Sequence, residues 1–132
     1  MEDDYRERIK ELVEKNIIEY HGYQSDVKLY IKKCHCFVLP SYHEGMANTL
    51  LEAGAMGRPI ITSDIQGCME AVENDASGYL FQKQNVDSLY LVMERFIMLS
   101  YNDRKTMGGI GRKRMERIFD KKKVVQETIR YL

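Results

Sequence analysis

Between residues 5 and 13 the apolar side chains Tyr5, Ile9, Leu12 and Val13 recur at the spacing of one helical face, with acids and bases between them. That pattern predicts an amphipathic helix covering one face of a core. Ile17 to Tyr20 is a short strand candidate. After His21-Gly22-Tyr23, Ser25 or Asp26 is placed to cap a helix whose apolar face is Val27, Tyr30, Ile31 and Cys34. The period then changes, and Cys36-Phe37-Val38-Leu39 is a continuous apolar run closed by Pro40. A parallel strand buried on both faces has this look, because no alternate position needs to be polar.

Ala47 to Met56 reads as the next helix, ended by Gly57-Arg58-Pro59, since glycine can turn left-handed after the last turn and proline cannot extend the hydrogen bonding. Pro59-Ile60-Ile61-Thr62 predicts a second strand. Strand, helix and strand within about thirty residues make a βαβ crossover, which is right-handed and puts its loops at one edge of the sheet, where such sheets bind ligands. Further on come a short helix around Cys68 to Glu73, a turn at Asn74 to Gly78, and a strand at Tyr79-Leu80-Phe81. A long helix follows, with Val86, Leu89, Tyr90, Met93, Phe96 and Ile97 on its stripe. The last third carries Met107, Ile110, Met115 and Ile118 at helical spacing, weakened by Gly108, Gly109 and Gly111 at about 1 kcal/mol each. Asp120 is placed to cap a final helix packed through Val124, Val125, Thr128, Ile129 and Leu132. The expected fold class is α/β, a parallel sheet of about four strands flanked by helices in a single domain.

Composition narrows the function. The chain has 132 residues, 44% apolar and 30% charged, with 20 basic and 20 acidic side chains. Balanced charge removes the overall field that would draw the chain to nucleic acid, so no nucleic-acid partner is expected. The apolar runs are far short of the ~20 residues that span a bilayer, and the acidic start Met1-Glu2-Asp3-Asp4 is unlike a signal peptide, so a cytoplasmic location is the expectation. Three cysteines, Cys34, Cys36 and Cys68, form no CxxC pair; reduced thiols and no metal site are expected.

The chemistry concentrates in Ser41-Tyr42-His43-Glu44-Gly45-Met46-Ala47-Asn48-Thr49-Leu50-Leu51-Glu52, the loop after the buried strand and the start of the next helix. Gly45 and Ala47 let backbone amides at the helix start be approached closely, and those amides with the positive dipole end suit a phosphate. Glu44, Asn48 and Glu52 are spaced by four, which would put the two carboxylates about 12 Å apart were the helix to begin that early. A diphosphate between them would have a hydroxyl-accepting carboxylate on either side. On pattern alone, Asn48 and Glu52 serve equally as the solvated face of a helix packed through Ala47, Leu50, Leu51 and Gly54.

Pro40-Ser41-Tyr42-His43-Glu44-Gly45 and Leu50-Leu51-Glu52-Ala53, followed by Gly57-Arg58-Pro59-Ile60, Asp64-Ile65-Gln66-Gly67 and Ser77-Gly78-Tyr79-Leu80, closely resemble the family 4 (group 1) glycosyltransferases. The bacterial capsule and surface-polysaccharide members are the most similar. The resemblance implies a GT-B fold of two Rossmann-like domains, and transfer of a sugar from a nucleotide sugar, commonly UDP-linked, with retention of configuration and no metal. It implies a catalytic contact of Glu44 with the donor sugar, a ribose contact from Glu52, and a diphosphate held by Gly45, Met46, Ala47, Asn48 and Thr49. Ser41, Gly67 and Glu70 would face the same crevice, and Gly22 and Tyr23 would sit beside the base. The acceptor-binding domain and the beginning of the donor domain have no counterpart here, so this is expected to be a C-terminal donor-binding portion that needs an N-terminal glycosyltransferase half, or self-association, and is inactive alone. The alternative is a non-catalytic nucleotide-sugar binding or assembly module.

From Asp103 to Lys123 nine basic residues stand against three acids. A solvated helical face is the plain account of the block at residues 104–123; peripheral contact with anionic lipid is the functional one, and it suits a lipid-linked acceptor.

Overall fold

The computed structural model describes residues 2–41 and 48–130. Three strands form one parallel sheet in the order β1 (Phe37–Leu39), β2 (Ile60–Ser63), β3 (Gly78–Phe81). Phe37 pairs with Ile60, and Ile60 in turn with Gly78. Central β2 is buried at all four positions, as its unbroken apolar run requires. The sequence predicted about four strands; the described residues form three. The segment from Ile17 to Tyr20 forms no strand: the chain bends at Ile17, whose N–H donates to Leu12 O, and a strand is completed only by a neighbour's backbone, which no described strand supplies there.

Helices cover both faces of the sheet. On one side α2 (Lys28–Lys33), α3 (Asn48–Ala55) and a short 3-10 helix (Met69–Ala71) enclose a core of Ile31, Leu50, Leu51, Ala53, Ile60, Cys68, Ala71, Val72 and Met115. On the other, α4 (Val86–Ile97) and the start of α5 (Tyr101–Arg130) pack Val92, Phe96 and Met107 against Ile61, Tyr79 and Phe81. The predicted stripe of α4 divides: Leu89 and Phe96 turn to the sheet together with Val92, whereas Val86, Tyr90, Met93 and Ile97 are exposed. Its apolar residues span more than the one face that a three-stranded sheet can cover. Asn85 caps this helix, its side chain accepting from Ser88 N.

α3 ends as its sequence predicts. Gly57 is left-handed (φ 74°), Gly57 N donates to Gly54 O and Arg58 N to Ala53 O, the paired bonds of a Schellman stop. Arg58 then reaches back, Nε to Ile31 O (3.2 Å) and an Nη to Lys32 O (2.7 Å), and ties the end of α2 to the end of α3. α2 itself starts after Val27; Asp26, one residue earlier, accepts from Lys28 N, so its side chain does the expected work while Val27 holds the cap position.

α5 is one helix of 30 residues, with no break at its glycines and no new start at Asp120. Gly108 is where the helix touches its neighbour: a Cβ there would lie 2.0 Å from Gly57 O. Met115 fills the space over Gly54 in the same interface. The glycines that weaken the helix in isolation are what let it seat against the end of α3. The packing expected of Val124, Val125, Thr128, Ile129 and Leu132 lies outside the described side chains.

α1 (Glu2–Glu14) is amphipathic as predicted but buries nothing. Tyr5 and Val13 are exposed and Ile9 and Leu12 half-buried. Glu11 bridges Arg8 and Lys15, and the Lys15 bond first, then Arg8, holds its carboxyl below the ordinary carboxylate value.

Candidate functional site

Because the strands are parallel, the segments after β1, β2 and β3 leave from one edge of the sheet, the edge at which α/β sheets bind ligands. Side-chain bonds hold that edge together. Thr62 Oγ1 donates to Leu39 O at 2.8 Å, joining the ends of β1 and β2. Asp64 N donates to Phe81 O and Asp64 Oδ1 accepts from Lys83 N, joining the end of β2 to the loop after β3. The sequence signal for this second bond is an acid directly after a buried strand.

α3 starts at this edge. Asn48 is its first residue and exposed, Thr49 is half-buried, and Glu52, one turn further on, is half-buried between the buried Leu51 and Ala53. Among the described residues no acid occupies the first turn of α3, where a negative charge would be favoured. The helix is held by its opposite end, where Gly57 and Gly54 meet Gly108 and Met115. Rigid support of this kind keeps amides aimed at one point.

Glu44, Gly45, Met46 and Ala47, four of the expected site residues, lie outside the described residues, and with Glu44 goes the expected 12 Å separation from Glu52. Ser41 is half-buried just beyond β1. Gly67 takes a left-handed φ of 93° in the loop after β2, and the short 3-10 helix that follows packs against α3. Glu70, the middle residue of that turn of helix, is an exposed acid; its carbonyl accepts from Arg114 Nε at 2.8 Å, which fixes the backbone and leaves the carboxylate in solvent. Gly67 and Glu70 therefore stand beside α3.

Gly22 and Tyr23 lie in the segment between α1 and α2. Gly22, left-handed with φ 63°, lines a cavity of about 310 Å³ with Val27, Ile31, Phe37 and Val38, along the outer side of β1. His21 stacks on Tyr30 with ring centroids 4.6 Å apart, and Tyr23 is 94% exposed.

Cys34 and Cys36 belong to the core margin. Burial pushes the Cys36 thiol up to about 12, with Cys34 adding to the rise and Arg104 opposing it; burial likewise raises Cys34. Among the described residues no group of three His, Cys, Asp or Glu side chains could hold a metal ion. No helix among them is long and apolar enough to cross a membrane.

Comparisons with known proteins bear on this arrangement directly. The chain is 31% identical over 106 residues to the capsular polysaccharide biosynthesis glycosyltransferase CapM of Staphylococcus aureus, covering 78% of this chain and 27% of CapM. It is 38% identical over 79 residues to the N,N'-diacetylbacillosaminyl-diphospho-undecaprenol alpha-1,3-N-acetylgalactosaminyltransferase of Campylobacter jejuni, covering 60% of this chain and 21% of that one. Among solved structures, Anabaena HepE in complex with UDP superposes with a TM-score of 0.83 at 19% identity, over 98% of this chain and 36% of HepE. The fold is that of the GT-B glycosyltransferases. The chain spans between about a fifth and a third of the length of these relatives. The family model for glycosyl transferases group 1 matches residues 1–114, and the chain belongs to that family.

Proposed function

We propose that these residues are the donor-binding portion of a retaining glycosyltransferase that builds a surface polysaccharide or lipid-linked glycan at the cytoplasmic side of the membrane. The donor is a nucleotide sugar, with a uridine diphosphate the first candidate. The observation that carries this is the acid-free first turn of α3, standing at the ligand edge of a parallel sheet with Asn48, Thr49 and Glu52 on it. Support for the donor comes from HepE, solved with UDP, and for the acceptor from the Campylobacter relative, whose name specifies a diphospho-undecaprenol acceptor.

In the proposed reaction the bond from the sugar's anomeric carbon to the diphosphate oxygen breaks. The nucleoside diphosphate leaves with the electron pair, and an acceptor hydroxyl bonds to the same face of the anomeric carbon and passes its proton to the departing diphosphate oxygen. Charge growing on the departing diphosphate meets the α3 amides and the positive helix end, so no cation is required there. Glu52 accepts from the ribose hydroxyls, and Glu44 acts at the donor sugar. Transfer itself needs an acceptor-binding half supplied with this portion. The basic residues 104–123 are suited to an anionic lipid surface near the acceptor.

Calorimetric titration with UDP, GDP, ADP and their sugar conjugates in excess EDTA tests this. One nucleotide binds without metal, and Glu52→Gln weakens it roughly tenfold, the loss of one charged hydrogen bond. Equal affinity in the two proteins removes Glu52 from the site, and nucleotide binding that appears only with added Mg²⁺ removes the metal-free reaction.

A further inference from the structure

The basic run Arg112-Lys113-Arg114 of α5 does not act as a unit. Arg112 is exposed and stands 3.9 Å from Glu116 on the same helix, and Lys113 is exposed beside it. Arg114 is half-buried, and its Nε–H donates to Glu70 O at 2.8 Å, across 44 residues of chain. Solvated charge accounts for the first two residues. The third is committed to a backbone carbonyl.

That carbonyl belongs to the 3-10 turn Met69–Ala71, which packs against both α3 and α5. The loop carrying the turn leaves β2 at the ligand edge and is fixed at each end. Asp64 ties its start to Phe81 O and Lys83 N. At its end Glu73 N donates to the buried Ser77 Oγ at 2.8 Å, and Asn74 Oδ1 accepts from Leu80 N of β3. Ser77 in turn lies under α5, where a Cβ built on Gly111 would come within 3.5 Å of Ser77 Cβ. Between these ends the chain turns left-handed at Gly67 (φ 93°), and Arg114 holds the stretch that follows. The guanidinium is bonded to the Glu70 carbonyl, and the exposed carboxylate of Glu70 takes part in no ion pair among the described residues. A carboxylate so placed accepts strongly from hydroxyl donors, and its fixed backbone reduces the ordering that binding requires.

We propose that Arg114 is a positioning residue of the donor site: it fixes the turn at residues 69–71 beside α3, and the Glu70 carboxylate held there accepts from a hydroxyl of the bound nucleotide sugar. This role presupposes that the ligand edge binds the donor, as proposed above. What it requires of residue 114 is an N–H at the reach of Nε, not a positive charge. Arg114 is thereby separated from its exposed basic neighbours, whose contact with an anionic surface would depend on charge alone.

Two substitutions distinguish the N–H from the charge. Gln carries an amide N–H at the same distance along the side chain as arginine Nε and no charge, and Met reaches equally far with no donor. Calorimetric titration in excess EDTA uses UDP, UDP-glucose and UDP-N-acetylgalactosamine as probes. For whichever of the three binds tightest, Arg114→Met weakens binding about fivefold and Glu70→Gln roughly tenfold, whereas Arg114→Gln stays within about twofold of the unaltered chain. Because Arg114 acts through Glu70, the double variant Arg114→Met/Glu70→Gln binds no more weakly than Glu70→Gln alone. Without nucleotide, exchange of the Ala71 and Val72 amides, which close the turn onto Cys68 O and Met69 O, rises about fivefold or more in Arg114→Met and not in Arg114→Gln. Equal weakening by Arg114→Met and Arg114→Gln, additive losses in the double variant, or exchange unchanged by Arg114→Met each overturns the proposal. Should Arg114→Met fail to fold, Glu70→Gln, at an exposed side chain, and Arg114→Gln carry the test: binding unchanged by the first, or weakened as much by the second as by the first, overturns it. Binding of none of the three probes by the unaltered chain overturns the donor site itself, while exchange at Ala71 and Val72 still decides whether Arg114 holds the turn.

Discussion

Residues 3–30 and residues 48–118 have comparable apolar patterning, yet not one residue of the first stretch is buried and the second contains nearly the whole core. Ile17 and Tyr20 are 64% and 70% exposed, while Ile60 and Ile61, the same kind of strand sequence, are 1% exposed. Patterning therefore records where a segment expects a neighbour, and burial follows only where that neighbour is present. In residues 48–118 the neighbours are mutual, since α3 packs on both β2 and α5, and α5 in turn on β3.

Single substitutions can break this contrast or sharpen it. The largest effect is expected at the seat of α5: Gly108→Ala drives a methyl into Gly57 O and costs about 3 kcal/mol or more, read as a lowered urea midpoint. Gly109, where an added Cβ would meet nothing within 4 Å, is the control, and Gly109→Ala gains up to about 1 kcal/mol by helix propensity alone. Next, Met115→Ala empties a fully buried position and costs about 2–5 kcal/mol, against under about 0.5 kcal/mol for Ile17→Ala. An equal cost at the two sites would mean that the first stretch is buried in solution.

Arg58→Ala should cost about 1.5 kcal/mol, the worth of a charged hydrogen bond, and should raise exchange of the α2 amides ahead of those in α3. At neutral pH the titration of Cys36 changes stability least, because its effect falls in the alkaline range. Its folded-state pKa of about 12 lies above its ordinary 9.0, so the fold favours the protonated thiol. That contribution is complete below pH 9 and is lost as pH rises through 12. At pH 8 its alkylation by iodoacetamide should be roughly a thousandfold slower than that of an ordinary thiol, because thiolate is the reacting form.

What was legible in the sequence was whatever depends on near neighbours in the chain. β1, β2 and the Gly57 stop follow from the unbroken runs at residues 36–39 and 60–62 and from glycine before proline. Asn48, Thr49 and Glu52 lie on the helix expected over Ala47 to Met56, described here as Asn48–Ala55. What depends on remote partners was misread or silent. Residues 17–20 have strand composition and no strand to pair with; the glycines of α5 looked like interruptions because their partner, Gly57, lies about fifty residues earlier. Asp120 has a cap's chemistry but stands in mid-helix, and α4 carries more apolar residues than the sheet can take. Arg58, Asn74 and Arg114 act on backbone carbonyls and amides that no side-chain pattern advertises.

The seat of α3 on α5 has a consequence in time. Gly54 meets Met115 and Gly57 meets Gly108, contacts between segments separated by nearly half of the chain. A ribosome that has released α3 has therefore not yet released what fixes it, and a nascent chain ending before Met115 holds the helix without its buttress. The proposed ligand edge becomes rigid only when α5 has followed it, so donor affinity should report the emergence of α5 more sharply than helix content does.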